Sequence, residues 1–451
     1  MKLTTQNRPT TPTHRAGPDH GGDLPPRATR NCSRSLIVAL VSCVAGVASL
    51  CAGQTARAED GGWPQLRGPA GQGHAPGAEL AVTWSEQEHV RWKYADPGEG
   101  WSSPVVADGR VWMTTACDSG HSLRAVCVDL ASGKLLKDVE VFRVDELAAQ
   151  AAMNSYASPS PVVADGRLYA HFGTYGTACL AADTGTILWQ RRDLKLNHEV
   201  GPGSSPALWH DKLIIPCDGK DVQFVIALDT RTGTTAWKTE RSFGGQVKPY
   251  PCWASCTSLV VTVDGQDQAI IPGAECVGAY DPANGKELWS VKYHGWSNVP
   301  RPLYGHGLVY VCTGFGDTAL MAIRPERREN AWAADVVWKI EENVPTIPSP
   351  VLVGERIYMV HDNGIGSCVD AMTGRQIWRE RLGSACSASL LNAGPRIYCF
   401  DQKGTTTVLV ADNEFKVLAK NRLDSGCMAS AAVAGNALIL RTKTHLYRIE
   451  N

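Results

Sequence analysis

The ten residues SPVVADGRVW (103–112) return as SPVVADGRLY (160–169) with eight positions unchanged. A phrase spelled twice means that the chain is assembled from units, each of which must bury its apolar face against the next. Six further copies are present: SPALWHDKLI (205–214), SLVVTVDGQDQAII (258–271), RPLYGHGLVY (301–310), SPVLVGERIY (349–358), SLLNAGPRIY (389–398) and SAAVAGNALI (430–439). Each reads as two strands around a tight hairpin turn, with Asp-Gly or an equivalent pair supplying the positive φ that such turns need.

A second phrase follows the first. Its fullest copy is ALDTRTGTTAW (227–237); AYDPANGKELW (279–289) and CVDAMTGRQIW (368–378) keep its spacing, CVDLASGKLLK (127–137) has lost the Trp, and AADTGTILW (181–189) is shorter by two residues. The Asp accepts N–H groups of its own turn, the Gly takes the left-handed corner, and the strand beyond ends in Trp. Trp189, Trp237, Trp289, Trp338 and Trp378 recur once per unit, as flat rings wedged between neighbours would. Two hairpins make four strands, the blade of a β-propeller. The last unit, 429–451, holds three strands and stops, whereas VRWKY (90–94) resembles LWSVKY (288–293) and puts Trp92 where the repeat Trp belongs. The expected fold is therefore all-β, an eight-bladed propeller of four-stranded antiparallel blades. The N-terminal strand completes the last blade, closes the ring and removes an open sheet edge.

The chain ahead of the ring is of another kind. Residues 1–30 are Thr-, Pro-, Arg- and Gly-rich without apolar periodicity, and read as disordered. Arg27, Arg30 and Arg34 then precede the apolar run 35–53 and the small-residue site ARA (56–58), the pattern of a secretory signal cleaved after Ala58. An uncleaved membrane anchor and a lipoprotein box, LVSC with Cys43 as lipid acceptor, are the alternatives. The expected organisation is 1–58 as leader, 59–88 as lead-in and 89–451 as propeller, in a periplasmic or secreted monomer that meets a membrane only through its N-terminal segment. Removing the leader takes away seven of 44 Lys/Arg and two of 45 Asp/Glu, which leaves a net charge of −6. With no basic stripe to set against it, a nucleic-acid partner is not expected. The cysteines form no CxxC pair and no zinc-spaced cluster. Cys117 and Cys127 are placed to face each other across a hairpin, a candidate disulfide for an oxidising compartment.

The pattern A-x-D-x-x-T-G-x-x-x-W behind a strand hairpin resembles the repeat of the PQQ-binding-like β-propeller superfamily, which includes the quinoprotein alcohol dehydrogenases and the BamB-like assembly lipoproteins. WPQLRGPAGQG (63–73), VTWSEQEHVRWKY (82–94) and GEGWSSPVV (98–106) are similar to the opening of secreted PQQ-like repeat proteins without an assigned activity. The resemblance covers about residues 60–451. It implies the fold and leaves function open, because one fold hosts many functions. Its quinoprotein branch implies PQQ, a calcium ion, a catalytic Asp and a disulfide between adjacent cysteines; no Cys-Cys pair is present here.

Strand order places the tight turns on one face of the ring and the longer loops on the other. Candidate ligand or partner residues on those loops are Trp101, Asn154, Tyr156, His198, Lys248, Tyr250, Trp253, Trp296, Asn298 and Arg301. Asp118, Asp218, Asp362 and Asp401 recur after the second strand, either as a carboxylate ring for a cation or as residues that start a turn; the turn is preferred. No Ser-His-Asp order, nucleophile elbow or phosphate loop stands out, so no catalytic or metal-binding residue is assigned and no cofactor is expected. The expected function is an extracytoplasmic, non-catalytic binding or assembly scaffold that offers its loop face to a protein or polysaccharide. A PQQ- and calcium-dependent quinoprotein oxidoreductase is the alternative, and a carbohydrate-binding propeller the second.

Overall fold

A computed structural model describes residues 62–242 and 253–451. The leader, Cys252, Lys248 and Tyr250 fall outside the described residues. Eight four-stranded antiparallel sheets follow one another. Blade 1 has strands Val105–Ala107, Arg110–Cys117, Ser122–Asp129 and Leu135–Arg143, and blades 2 to 7 repeat the order. Blade 8 has Ala432–Ala434, Ala437–Arg441 and His445–Ile449, with Val90–Ala95 as its outermost strand. That last pairing, from Val90 opposite Ile449 to Ala95 opposite His445, closes the ring as expected.

The hairpin phrase forms the two inner strands. Asp108 and Gly109 turn at φ 50° and 69°, and Asp165 and Gly166 at 49° and 70°, the left-handed pair that a two-residue hairpin requires. The first hairpin of blade 4 is longer than that of blade 1, and Thr257, not Ser258, takes the Ser205 amide as Ser160 takes that of Ser103, so Thr257 is the counterpart of Ser103.

The second phrase joins the blades. Trp189 Nε1 donates to Thr230 O at 3.0 Å, Trp237 to Pro282 O at 2.9 Å and Trp338 to Ala371 O at 3.1 Å, each acceptor lying in the next blade's turn. Trp92 does the same across the ring closure, to Leu130 O at 2.9 Å. Each of these rings rests on the turn glycine: a Cβ on Gly285 would lie 2.4 Å from Trp237. Trp378 reaches Asp412 O at 3.4 Å and packs against Phe415. Trp289 departs from the series and donates to Gln268 Oε1 at 2.7 Å, because blade 5 replaces the turn with a long hairpin, Leu320–Arg328 and Ala331–Ile340. Between the joints the core is a set of interblade clusters, such as Trp112 and Cys127 of blade 1 against Leu168 and Leu180 of blade 2.

Cys117 and Cys127 are not a disulfide. Cys117 pairs with Ser122 and Cys127 with Trp112, five positions apart along the ladder, or roughly 17 Å at about 3.4 Å per residue. A disulfide needs its Cα atoms within ~7 Å. The eleven described cysteines are thiols, ten of them buried.

The lead-in lies across the inner strands. Trp63 pairs with Val106, Val163 N donates to Pro64 O at 2.8 Å, Tyr304 N to Gln72 Oε1 at 2.7 Å and Ala75 N to Asn392 O at 2.8 Å. These partners are innermost-strand residues of blades 1, 2, 5 and 7, so residues 63–75 run through the middle of the ring. Trp63, Leu80 and Trp84 of the lead-in are buried, and each contributes on the order of 1.5–3 kcal/mol by leaving water.

Candidate functional site

Alternating strand direction puts the first-to-second and third-to-fourth turns at one end of the ring. The loops after the second and fourth strands share the other end, where every described candidate residue is found. Two groups of them come together. Around blades 1 to 3, the Trp101 amide donates to Ser155 Oγ at 3.1 Å, and Asn154 Nδ2 to Val200 O at 2.9 Å and Pro202 O at 3.2 Å. Tyr156 donates its hydroxyl to Ala148 O at 3.1 Å and meets Tyr175 edge-on. His198 Nε2 accepts the Thr174 amide at 3.0 Å, which requires a ring neutral at that nitrogen. Burial, opposed by the Asp221 charge, holds the His198 pKa down at about 4.

Around blades 4 and 5, Ser297 N donates to Trp253 O and Ser255 N to Asn298 O, both at 2.8 Å. Trp296 pairs with Phe315 in a two-stranded patch and its ring covers Gly316. Asn298 is fully buried and donates to Tyr293 Oη at 3.1 Å and Cys312 O at 3.3 Å. Arg301 stands apart: it is buried, and its guanidinium turns to the axis and the lead-in. Asn154, His198, Asn298 and Arg301 thus hold loops to one another. Trp101, Tyr156, Trp253 and Trp296 are half-buried. The indole N–H groups of Trp101 and Trp253 are buried without an acceptor.

The four aspartates are engaged within the fold. Asp401 accepts Lys403 N at 2.9 Å and Thr405 N at 2.7 Å, as a turn-starting residue does. Asp362 instead holds Thr346 and Ile347 of the preceding loop, Asp118 pairs with Arg143, and Asp218 is buried against Arg241. Arg241 Nη2 donates to Asp218 Oδ2 at 2.8 Å, and Nε lies 2.8 Å from Oδ1. Blade 8 carries the reverse arrangement, with Arg441 on the second strand and Asp96 after the fourth, Nε to Oδ2 at 2.9 Å. Among the described residues no group of three or more His, Cys, Asp or Glu is placed to hold a metal. The four recurrent aspartates are each committed to protein donors and do not gather into the calcium centre that the quinoprotein resemblance implies.

Sequence reasoning missed two features of this end. The first is a ring of hydroxyls: the amides of Ser103, Ser160 and Ser205 donate to the hydroxyls of Ser160, Ser205 and Thr257 at 2.8, 2.8 and 3.0 Å. Arg301, Ser349, Ser389 and Ser430 continue to Ser349, Ser389, Ser430 and Ser103 at 2.9, 3.0, 2.9 and 3.0 Å. The recurrent Ser that opens the phrase was its signal. The second is an open pocket of about 590 Å³ lined by Ala148, Thr174, Lys195, Asn197, Glu199 and Asp221. It is built from loops with no repeated pattern, so no signal marked it.

With this geometry in place, comparison with known proteins is decisive for family. Residues 122–243, 221–336 and 335–416 match the family described as outer membrane protein assembly factor BamB, together well over half of the chain. The chain belongs to the BamB family. A relative, the outer membrane protein assembly factor BamB of Burkholderia pseudomallei (strain K96243), is 24% identical over 295 residues, 63% of this chain and 70% of that protein. The BamB crystal structure from Moraxella catarrhalis superposes with a TM-score of 0.58 at 14% identity, covering 80% of this chain and 97% of that one. A quinohemoprotein alcohol dehydrogenase from Comamonas testosteroni gives 0.59 at 11%, covering 86% and 80%. At these identities the solved structures share the fold alone, whereas the BamB family match rests on sequence.

Proposed function

We propose that this BamB-family propeller acts outside the cytoplasm as a non-catalytic scaffold in outer-membrane protein assembly, presenting its loop face to a protein partner. The observation that carries the reading is the BamB sequence match across blades 1 to 7. The loop face supports it: Asn154, His198 and Asn298 hold loops in place, and Trp101, Tyr156, Trp253 and Trp296 stay half-buried there; Lys248 and Tyr250 are proposed as further partner residues. Rigid aromatic surface is the usual anchor of a protein interface. An N-terminal signal ahead of the ring, cleaved after Ala58, would deliver the protein to the envelope.

The test is recovery of outer-membrane assembly components from envelope extract by the purified protein. Met153→Asp and Phe315→Asp alter exposed loop-face residues, and Asp165→Lys alters a turn on the opposite face. Recovery should fall for the first two and persist for the third. The same recovery for all three, or loss with Asp165→Lys alone, refutes the loop face as the docking surface. Stoichiometric binding of added PQQ with calcium, accompanied by dye-linked alcohol oxidation, refutes the scaffold.

A further inference from the structure

Among the described residues four arginines are buried to 6% exposure or less: Arg67, Arg241, Arg301 and Arg441. Arg241 and Arg441 each face a buried aspartate. Arg67 and Arg301 do not. Arg67, from the lead-in, donates Nη1 to Ser349 O at 3.1 Å and Nη2 to Gln72 O at 2.8 Å and Pro350 O at 2.5 Å. Arg301, from blade 5, donates Nε and Nη2 to Ser258 O at 3.1 and 2.7 Å, Nη1 to Leu66 O at 2.7 Å and Nη2 to Gln65 Oε1 at 3.2 Å. Every acceptor is a neutral oxygen, and among the described residues no carboxylate meets either group. Carbonyls satisfy geometry without cancelling charge, and an uncompensated buried cation is costly. Two of them close together are costlier. Burial, and next the Arg301 charge, push the Arg67 pKa down to about 9, and burial brings Arg301 down to about 10, so both remain cations at neutral pH.

The pair is also closely fitted. A Cβ on Gly71 would lie 2.3 Å from Arg301 Nη1 and one on Gly73 2.8 Å from Arg67 Nη2, so RGPAGQG wraps both guanidinium groups. Two buried polar groups are left over: Arg67 Nε, and the hydroxyl of Ser258, whose carbonyl holds Arg301. Gln65, Leu66 and Gln72 beside them are only partly buried, which gives a thin cover toward solvent.

We propose that Arg67 and Arg301 form a binding site in the middle of the ring for one small oxyanion, a phosphate, sulfate or carboxylate, which takes the Arg67 Nε–H and neutralises the pair. Guanidinium groups bind such oxygens through short charge-assisted hydrogen bonds. The site lies inside the ring between the lead-in and the innermost strands, and stands whether or not the assembly role does.

Crystals of the full chain soaked in selenate would place the anion by its anomalous signal, expected within hydrogen-bond reach of Arg67 Nε. In solution, inorganic phosphate or acetate, compared at equal ionic strength with sodium chloride, should raise the wild-type Tm saturably; phosphate against acetate tells a tetrahedral oxyanion from a carboxylate. Arg67→Met should abolish the rise. Should that variant fail to fold, Arg67→Lys, which keeps the charge and removes the Nε–H, should weaken the titrated Kd about tenfold, the loss of one good hydrogen bond. Selenate found only elsewhere, or a wild-type Tm indifferent to both anions, overturns the proposal.

Discussion

The backbone amide of Ser430 donates to the hydroxyl of Ser103 at 3.0 Å, so the last blade of the ring is tied to the first through its innermost strands. Each of the other hydroxyl bonds joins sequence neighbours; this one spans 327 residues. The remaining joint, between blades 4 and 5, has no hydroxyl because Arg301 stands there. Its guanidinium reaches back to Ser258 O and performs the same linkage.

Ser103→Ala removes the acceptor and leaves the part-buried Ser430 N–H without its partner, which costs about 1 kcal/mol. Chemical denaturation should show a lower midpoint with an unchanged m value. An unchanged midpoint would mean that the hydroxyl ring follows from the fold and adds nothing to it.

At the blade 3 to blade 4 joint, Gly285 sits at φ 76° with the Trp237 ring against it. Gly285→Ala combines left-handed strain with a clash and should cost about 2 kcal/mol or more. Trp237→Phe keeps most of the buried area, loses the bond to Pro282 O and should cost about 1 kcal/mol. Thermal melts that rank the two in the opposite order would deny the glycine its role as the seat of the ring.

Asp218→Leu strands a buried guanidinium, a loss of about 3–5 kcal/mol, whereas the double variant Asp218→Leu with Arg241→Met should recover most of it. A double-mutant cycle reads the coupling directly. Additive losses would show that the two groups do not act as a pair.

His171 is buried with Nδ1 2.8 Å from Thr177 Oγ1, and burial, followed by the nearby His198, holds its pKa at about 3. The folded state therefore keeps this ring neutral while the unfolded chain binds a proton below about pH 6.5. Stability is intact above that pH and falls as pH drops from about 6.5 toward 3, by about 1.4 kcal/mol per unit from this group. His171→Gln should flatten that part of the stability profile. An equal slope in both proteins would assign the acid sensitivity to other groups.

The architecture was legible because propeller blades are repeated solutions to one packing problem. Asp-Gly turns, Trp wedges and a three-strand remnant at 429–451 all follow from local rules, and each has its counterpart in space. What escaped the sequence is what happens once. Arg67 lies in an unrepeated segment, and its neighbour Arg301, 234 positions on, became visible only when the ring brought them together. Arg301 read as a loop-mouth cation because it opens a phrase, yet the Ser it replaces points into the ring and the arginine follows. The Cys117–Cys127 pairing failed for a simpler reason: two residues of one hairpin face each other only if they are equidistant from its turn.

The strand Val90–Ala95 finds its partner only in His445–Ile449, at the far end of the chain. No shorter piece of the molecule offers that edge, so a chain released from synthesis one blade early has an open sheet and a lead-in with nowhere complete to lie. Joining ends this distant carries a loop-closure cost that grows with the logarithm of the separation, and such non-local pairing slows folding. Blade 8 is thus the one sheet that needs both ends of the propeller at once, and loss of either end leaves it with an open edge.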